Sequence, residues 1–523
     1  MGDMAMSRGL RLKEKNIFWG MFFIILIHGI VDGKLINREK LIEINKKLKQ
    51  INRPAVKSIQ SEDGDIIDCV DIYKQPAFDH PALKNHTIQM RPSYDPALET
   101  SVKKDEVHGS LEASQLWRKS GSCPEGTIPI RRIRKQDLLR AASLEDFGRK
   151  NPSFSTIAGD IHQNSGNNYT IKAYNKAANH STMQMRPSYD PALETSVKKD
   201  EVNGSLEASQ LWRKSGSCPE GTIPIRRIRK QDLLRAASLE DFGRKNPGFS
   251  TIAGDIHQNG GNNFSTKAYN KAAGHSVAML FSQDATYGAQ GDINVWNPNV
   301  ASDDEYSAAE IVIKDGPYID FESVESGWMV NPKIYGDKRT RFFAYWTTDA
   351  SKKTGCFDLT CPGFVQTSRS IVLGAGISPV SVINGAQYHI SISIQMDKNT
   401  GQWWLRYGAQ TIGYWPKSLF VGLSHMGSSV EWGGDVKSSH IGQTHPHTGT
   451  DMGSGRKAGD GFGVGCLINN IRTMDSSFTF KFPRYHSPYT DEENCYNTYY
   501  RADDIVEPEF YFGGPGYDEK SCP

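Results

Sequence analysis

The carboxyl-terminal half of the chain contains a run in which apolar and polar side chains alternate at every position. Within Gln387–Asp397, one face of an extended chain would carry Tyr388, Ile390, Ile392, Ile394 and Met396. A period of two is typical of a β-strand with one buried face. Shorter runs of similar character, separated by turn residues, are Ser307–Lys314, Arg341–Thr347, Gln402–Tyr407 and Phe478–Phe482. Because no long helical pattern lies among them, we expect residues 277–523 to form an all-β domain, an antiparallel β-sandwich or barrel.

The amino-terminal half is dominated by a duplication. Gln89–Ser181 recurs as Gln184–Ser276, with an offset of 95 residues and seven differences. A unit of this length and near-identity indicates a recent segmental duplication or an error in assembling the gene, because solenoid repeats are shorter and diverge. We expect a mixed, loop-rich segment with a start (residues 34–88), a first copy (residues 89–181) and a second copy (residues 184–276). Its clearest helical pattern lies over Lys135–Lys150.

The two halves carry opposite charge. Residues 1–274 hold 42 basic and 31 acidic side chains, and residues 275–523 hold 19 basic and 28 acidic ones, so the overall charge of +2 hides a contrast of +11 against −9. This asymmetry indicates either different tasks for the halves or a basic half that covers an acidic one. The basic stretch Ile128–Lys135 lacks the interleaved aromatic residues of a nucleic-acid-binding surface, so we expect it to face solvent or a protein partner, and no nucleic acid.

The first 33 residues have the pattern of a secretory signal peptide. Four basic side chains precede the apolar run Ile17–Ile30, which is shorter than the about 20 residues that a membrane-spanning helix needs. An uncleaved signal anchor and a buried core helix are the alternatives. Five N-x-S/T sequons are candidate glycosylation sites: Asn85, Asn168, Asn179, Asn203 and Asn263. We therefore expect a secreted glycoprotein with no stable membrane insertion after signal cleavage.

The eight cysteines fit an oxidising compartment, in which disulfides are the expected state. Cys356 and Cys361, separated by four residues, could close a tight loop, and Cys466 could pair with Cys495 or Cys522. The duplication also doubles one cysteine, which can leave an odd thiol. No cysteine or histidine spacing matches a zinc site, and the histidine cluster at residues 440–447 is interrupted by a proline and lacks a third ligand. We expect no metal and no cofactor.

Two segments rich in glycine and tryptophan hold acidic residues among apolar neighbours, Val324–Asp337 and Val430–Val436. A carboxylate in such surroundings is costly to bury unless it is paired or protonated. Salt-bridged structural carboxylates are the simpler interpretation. Two carboxyl groups brought together across a sheet would instead titrate apart, so that one could act as a base on a water molecule and the other as an acid.

Long stretches of the chain closely resemble the plant neprosin family of secreted peptidases. They include GSCPEGTIPIRR in the amino-terminal half and GWMVNPKIYGD and VEWGGDV in the other, and they cover Ile51–Val70, Gln75–Ser93, Gly121–Arg132, Ile293–Val300, Gly327–Asp337, Tyr345–Ser368, Ile412–Phe420 and Val430–Val436. The resemblance implies an activation peptide, here with one unit doubled, followed by a peptidase domain built as a sandwich of two antiparallel sheets. It also implies a glutamic endopeptidase that cleaves after proline.

The resemblance further implies a pair of catalytic glutamates. One carries over to Glu325, two residues before Gly327 and Trp328, and the other falls on Asp435, where the family has Glu. The shorter side chain moves the carboxylate by about 1 Å, a displacement that can cost on the order of a hundredfold in rate. Glu431 is the nearest spare carboxylate on what should be the same strand. Either member of the pair could be the base.

We therefore expect a secreted zymogen, extracellular or located in the apoplast or vacuole, that cleaves a proline-containing peptide or protein at acidic pH. Its own activation peptide would be an intramolecular inhibitor. The alternative is a catalytically weak or inactive extracellular module that binds cell-wall carbohydrate or protein, because four tryptophans, if exposed, could stack on sugars: Trp403, Trp404, Trp415 and Trp432.

Overall fold

The computed structural model describes residues 28–31, 34–94, 116–135, 138, 205–207, 209–235, 239, 242–243, 274–317, 320–442, 445–502 and 508–523. Most of the predicted signal peptide, four of the five sequons and nearly all of the helix predicted over Lys135–Lys150 lie outside these residues; Asn85 lies within them and is exposed. Among the helices that are described, none is long and apolar enough to cross a membrane.

The amino-terminal segment, here residues 28–274, combines short strands with one longer helix. Its elements are β1 (His28–Val31), β2 (Lys34–Asn37), α1 (Arg38–Ile51), β3 (Ala55–Gln60), β4 (Ile66–Asp71), β5 (Leu116–Ser122), β6 (Glu125–Arg134), β7 (Ser205–Glu207), β8 (Ser209–Gln210), β9 (Lys214–Ser217), β10 (Glu220–Arg229) and α2 (Asp232–Arg235). Helix α1 buries the apolar stripe formed by Leu41, Ile44, Leu48 and Ile51, whose spacing of three and four residues puts them on one face.

A four-stranded sheet organises this segment, in the order β3-β4-β10-β6. Strand β4 pairs antiparallel with β3 and with β10, and β10 runs parallel to β6. The second copy also reaches the carboxyl-terminal half, where β7 and β8 each pair with a strand of that half.

The regular elements of the β domain, residues 275–523, are nearly all strands. Its elements are β11 (His275–Ser282), β12 (Gly288–Asn294), β13 (Tyr306–Asp315), β14 (Glu322–Val330), the one-turn helix α3 (Pro332–Tyr335), β15 (Arg341–Thr347), β16 (Cys356–Phe357), β17 (Val365–Gln366), β18 (Ile377–Ser378), β19 (Gln387–Met396), β20 (Trp403–Tyr407), β21 (Gln410–Trp415), β22 (Ser429–Lys437), β23 (Cys466–Met474), β24 (Phe480–Lys481), β25 (His486–Thr490), β26 (Asn497–Arg501) and β27 (Glu509–Gly513). Strand β19 confirms the alternating pattern, since all three of its isoleucines are buried.

Two sheets form the predicted antiparallel sandwich. One has the order β16-β15-β14-β13-β22-β11-β25, and the other contains the path β17-β21-β20-β19-β12-β23-β27-β26. The main core lies between them and includes Ile311, Trp328 and Trp432 from the first sheet. The indoles of Trp328 and Trp432 donate hydrogen bonds to the carbonyls of Asn294 (2.9 Å) and Gln290 (3.0 Å) on β12, which ties the two sheets together.

The four tryptophans considered for sugar binding all belong to this core. Trp403, Trp404, Trp415 and Trp432 each have none of their surface exposed. A buried indole cannot stack on a polysaccharide, so the premise of the binding-module alternative is wrong for these residues. Their role is to fill the space between the sheets.

The disulfides of the β domain differ in part from expectation. The structure joins Cys356 to Cys361, the pair suggested by their spacing, and Cys495 to Cys522. The expected disulfide of Cys466 is wrong, because this residue is a buried free thiol at the start of β23. Burial raises the pKa of its thiol well above the usual value.

Candidate active site

The seven-stranded sheet has two chemically different faces. Residues of even number on β14 and β22, such as Trp328 and Trp432, point into the core between the sheets. Side chains of odd number therefore point to the opposite face, because successive side chains of a strand alternate. On this outer face lie Glu325 of β14 and both Glu431 and Asp435 of β22. We call it the carboxylate face.

Strand register brings Glu325 and Glu431 into one row. Glu325 lies opposite Val312 of the central strand β13, and Glu431 lies opposite the same Val312 from the other side. Directly opposed residues of an antiparallel pair share a face, and strands lie about 4.8 Å apart, so the two Cα atoms are separated by about 10 Å. At this separation of the main chains, a water molecule or a peptide group fits between two glutamate side chains of one row.

Asp435, the position indicated by the family resemblance, lies in a different row. It is opposite Ala308, four residues along β13 from Val312 and thus about 13 Å farther along the strand. Its carboxylate lies 2.9 Å from Nδ1 of His275 and accepts a hydrogen bond from the hydroxyl of Tyr306 at 2.8 Å. The register thus places Glu325 in one row with Glu431, and Asp435 in another row of the same face.

The two glutamates have different immediate partners. The ammonium group of Lys314 contacts both carboxylate oxygens of Glu431, at 2.7 and 2.8 Å, as an ion pair. The hydroxyl of Ser323 donates to Oε1 of Glu325 at 2.7 Å. The row therefore contains two carboxyl groups with different neighbours.

A third carboxylate lies between the Glu325 row and the Asp435 row. Glu310 of β13 is flanked by Gly327 on one side and by Gly433 on the other. A Cβ atom at either glycine would collide with the main-chain oxygen of a neighbouring strand, Ala309 or Ala278, so these positions require glycine for the strands to approach this closely.

The pKa of Tyr306 shows how strongly the carboxylates of this face act on a neighbouring group. Burial raises the pKa of its hydroxyl well above the usual value, and the negative charges of Asp435, Glu310 and Glu325 raise it further. The phenol stays protonated and acts as a hydrogen-bond donor. Three carboxyl groups thus influence one hydroxyl, which makes the outer face of this sheet a concentrated acidic site.

The amino-terminal segment covers the carboxylate face. A second hydrophobic cluster joins sheet residues Tyr306, Ala308, Met329, Phe343 and Tyr345 to apolar residues of the amino-terminal segment, namely Ile44, Ile51, Ile133, Leu138, Ile228, Leu233, Leu239 and Phe242. In this state Glu325 is 1% and Glu431 4% exposed. A peptide could not reach either carboxyl group at such exposure.

A buried ionic cluster fastens the cover to the β domain. Asp65, at the start of the β4 hairpin strand, lies 2.6 Å from Nη1 of Arg341, which also binds Asp337. Nε of Arg226 lies 3.1 Å from Asp65, and the guanidinium groups of Arg226 and Arg341 stack over the ring of Tyr335 at 4.7 and 5.2 Å. Burial alone would raise the pKa of Asp65, but the surrounding guanidinium groups hold it well below its usual range. The basic strand of the amino-terminal segment therefore faces a protein partner within the chain.

Asp358 adds a titratable group beneath this cluster. Its carboxylate accepts a hydrogen bond from the hydroxyl of Tyr335 at 3.0 Å, and burial raises its pKa to about 7. The folded protein therefore binds a proton between about pH 4 and pH 7 that the unfolded chain, with an ordinary aspartate pKa, has released. This difference lowers the free energy of unfolding as the pH rises through that window.

We expect Asp358→Asn to remove this pH dependence. The free energy of unfolding of the wild type, relative to that of the variant, should fall by up to about 4 kcal/mol between pH 4 and pH 8, given about 1.4 kcal/mol per pKa unit. Urea unfolding at both pH values measures it. Asp320→Asn, at an exposed ion pair with Lys352, is the control and should follow the wild type. An equal pH dependence in wild type and Asp358→Asn would contradict the prediction.

Two histidines of the cluster contact the carboxyl-terminal part of the chain. His447 lies 3.1 Å from the carboxylate of Glu492, and His445 contacts the carbonyl of Pro523 at 2.9 Å. Burial lowers the pKa of His447, but the hydrogen bond to Glu492 and its charge outweigh burial and raise it.

Sequence reasoning missed Lys314, Ser323 and Glu310 and treated Glu431 as a spare. A usable signal was present: Glu325-Ser326-Gly327 and Glu431-Trp432-Gly433 share a glutamate and a glycine two residues apart. Equal spacing on two strands puts both glutamates and both glycines on one face. Which strand separates them, and in which register, depends on pairings that are not local in sequence.

Two family models match this chain. The model described as Neprosin matches residues 303–515, and the model described as Neprosin activation peptide matches twice, over residues 58–173 and 172–278. Among solved structures, scytalido-glutamic peptidase with a transition state analog inhibitor is 11% identical, with 47% of this chain and 98% of that chain covered and a TM-score of 0.25. CG-16, a homodimeric agglutinin from chicken liver, is 8% identical, with 30% and 95% covered and a TM-score of 0.17. Neither structure is similar enough to bear on the chemistry of this chain. From the two matching family models, the chain belongs to the neprosin family, with the activation-peptide segment of that family present twice ahead of its β domain.

Proposed function

We propose that this chain is the precursor of a glutamic peptidase whose catalytic pair is Glu325 and Glu431. The observation that carries the proposal is the shared row: both glutamates lie opposite Val312, on the one face of the sheet that the amino-terminal segment covers. A pair of carboxyl groups with a covering segment is what a peptidase kept inactive before maturation requires. Asp435 would then support the face through His275 and Tyr306 without acting on the substrate.

Each carboxyl group is given one role in this proposal. Glu431, paired with Lys314, would be the base that takes a proton from the attacking water. Glu325 would be the acid that donates a hydrogen bond to the oxygen of the scissile carbonyl as negative charge develops there. The proton taken by Glu431 would pass to the leaving nitrogen, so that both groups return to their starting states. One protonated and one ionised carboxyl group favour activity at acidic pH.

Membership of the family supports three finer expectations. The scissile bond would follow a proline, the chain would enter the secretory pathway, and the activation peptide would act as an intramolecular inhibitor. The last is supported independently by the burial of both glutamates beneath the amino-terminal segment.

Product analysis tests the proposal. The full chain is acidified to release the amino-terminal segment and is then incubated with a peptide that contains a single internal proline. Mass spectrometry should find a new product that ends in proline. Cleavage elsewhere would contradict the proline specificity alone, whereas absence of any cleavage after the segment has been removed would contradict the peptidase assignment.

A further inference from the structure

The same strand of the activation peptide occurs twice in one place. Strands β6 and β10 have identical sequences, EGTIPIRRIR, and lie side by side in parallel. Their register places Arg226 beside Arg131 and Ile228 beside Ile133, so the residues from Arg226 to Arg229 each lie beside their own counterpart 95 positions away. In an ordinary sheet, by contrast, neighbouring strands differ in sequence, and their side chains contact different residues.

Both strands direct the same arginine at the same acceptors. Nε of Arg132 lies 2.6 Å from Oδ2 of Asp68, and Nε of Arg227 lies 2.6 Å from that same oxygen. The terminal nitrogens of both arginines lie 2.9 Å from the hydroxyl oxygen of Ser58. One carboxylate cannot neutralise two guanidinium groups that occupy one position, and two like charges at that distance repel. Asp68 and Ser58 therefore form a site for one arginine.

The preceding arginine repeats the pattern. Arg131 and Arg226 both direct Nε at Asp65, at 3.6 and 3.1 Å, and both place a guanidinium group over the ring of Tyr335, at 5.8 and 4.7 Å. Asp65 and the ring of Tyr335 are thus contacted by arginines of both copies at once. The two copies compete for one set of contacts along the length of the strand.

The cysteines give a third and independent indication. Cys69 of β4 lies at bonding distance from Cys123 of the first copy, and its Sγ is 3.4 Å from Sγ of Cys218 of the second copy. A sulfur atom takes part in one disulfide at a time, so three cysteines yield one disulfide and one thiol.

We propose that the position beside β4 is a single docking site that accepts the strand of one activation-peptide copy at a time, and that either copy can fill it. The docked copy is fixed by a disulfide to Cys69 and by the contacts of its two arginines. The other copy stays undocked, and its cysteine is a free thiol. This proposal concerns docking alone and does not depend on the peptidase activity.

Exchange between the two states needs no oxidant. The thiolate of Cys218 attacks Sγ of Cys69, a bond forms between them, and the bond from Cys69 to Cys123 breaks. Cys123 leaves as a thiolate and takes up the proton that Cys218 had released. The number of disulfides and the oxidation state are unchanged, and the reverse step restores the first copy.

Thiol counting on the full chain tests the proposal. After unfolding and alkylation without reduction, the wild type should show two thiols, Cys466 and one shared between Cys123 and Cys218. Cleavage before aspartate distinguishes the copies, because residues 105–136 contain His108 and residues 200–231 contain Asn203 at the equivalent position. Cys123→Ser and Cys218→Ser should each show only the Cys466 thiol, with Cys69 bonded to the remaining copy.

Two results would overturn the proposal. One is alkylation of Cys69 in either single variant, which would mean that the copy whose cysteine remains in that variant does not dock. The other is a wild type in which Cys123 is bonded to Cys218 and Cys69 is the second thiol, which would mean that the two copies are fixed to each other and neither is fixed to β4. The double variant, Cys123→Ser with Cys218→Ser, is the positive control and should expose Cys69 to alkylation.

A second measurement tests the arginine contacts separately from the sulfur chemistry. Arg131→Ala with Arg132→Ala should shift the ratio of the Cys218 to the Cys123 disulfide at least tenfold toward Cys218. The matched pair, Arg226→Ala with Arg227→Ala, should shift it at least tenfold toward Cys123. Equal ratios in both double variants and in the wild type would show that the two copies do not compete for Asp65 and Asp68.

Discussion

Replacing Glu431 by Gln should reduce the kcat of the activated enzyme by about 10²- to 10⁴-fold, the range of a lost general base. The amide keeps the size of the side chain but cannot take a proton from water. Glu325→Gln should lower kcat by a similar factor, because the amide cannot supply a carboxylic acid. Both reductions would be measured with a proline-containing peptide at saturating concentration, after removal of the amino-terminal segment.

Asp435→Asn is the matched control for this pair. Asp435 lies on the same strand and is equally buried, but it occupies the Ala308 row, about 13 Å along the strand from the Val312 row. The variant should keep kcat within about tenfold of the wild type, provided that urea unfolding shows it to be folded. If Asp435→Asn lost activity as fully as Glu325→Gln while Glu431→Gln kept it, the catalytic pair would be Glu325 and Asp435, as the family resemblance implies.

Asp65→Asn should weaken the attachment of the amino-terminal segment by about 3–5 kcal/mol, the cost of removing one partner from a buried ion pair. The variant leaves Arg341 buried and without the charge that it faces at 2.6 Å. Since the pKa of Asp65 is held below its usual range, this contribution is fully present above about pH 4 and is lost as the pH falls below the unfolded-state value. The expected result at pH 7 is premature exposure of the carboxylate face.

Limited proteolysis at pH 7 would measure this effect as the rate of cutting between the two parts of the chain. Asp79→Asn is the control, because its ion pair with Arg53 lies at the surface and contributes about 1 kcal/mol or less. Equal cutting rates in the wild type and Asp65→Asn would show that apolar contacts alone hold the cover.

Local patterns predicted the β domain because its strands have their own periodicity. The alternation in β19 depends only on neighbouring residues, and the structure confirms it. The carboxylate row could not be predicted in this way, because it depends on β13 lying between β14 and β22, strands whose glutamates are 106 positions apart in the sequence. The contact between Asp65 and Arg341 joins residues 276 positions apart. The charge contrast left open whether the halves have different tasks or one covers the other, and it did not indicate which side chains would form the pair.

The hydrophobic cluster beneath the amino-terminal segment has a consequence for the mature protein. Met329, Phe343 and Tyr345 form part of a sealed interior as long as the precursor is intact. Maturation would turn that interior into a solvent-facing floor beside the two glutamates, with no further change in the sheet. The mature protein would then prefer substrates that bring apolar side chains onto this floor, and it would bind dyes that report exposed hydrophobic surface where the precursor does not. The same apolar patch would thus hold the amino-terminal segment in the precursor and contact substrate side chains in the mature protein.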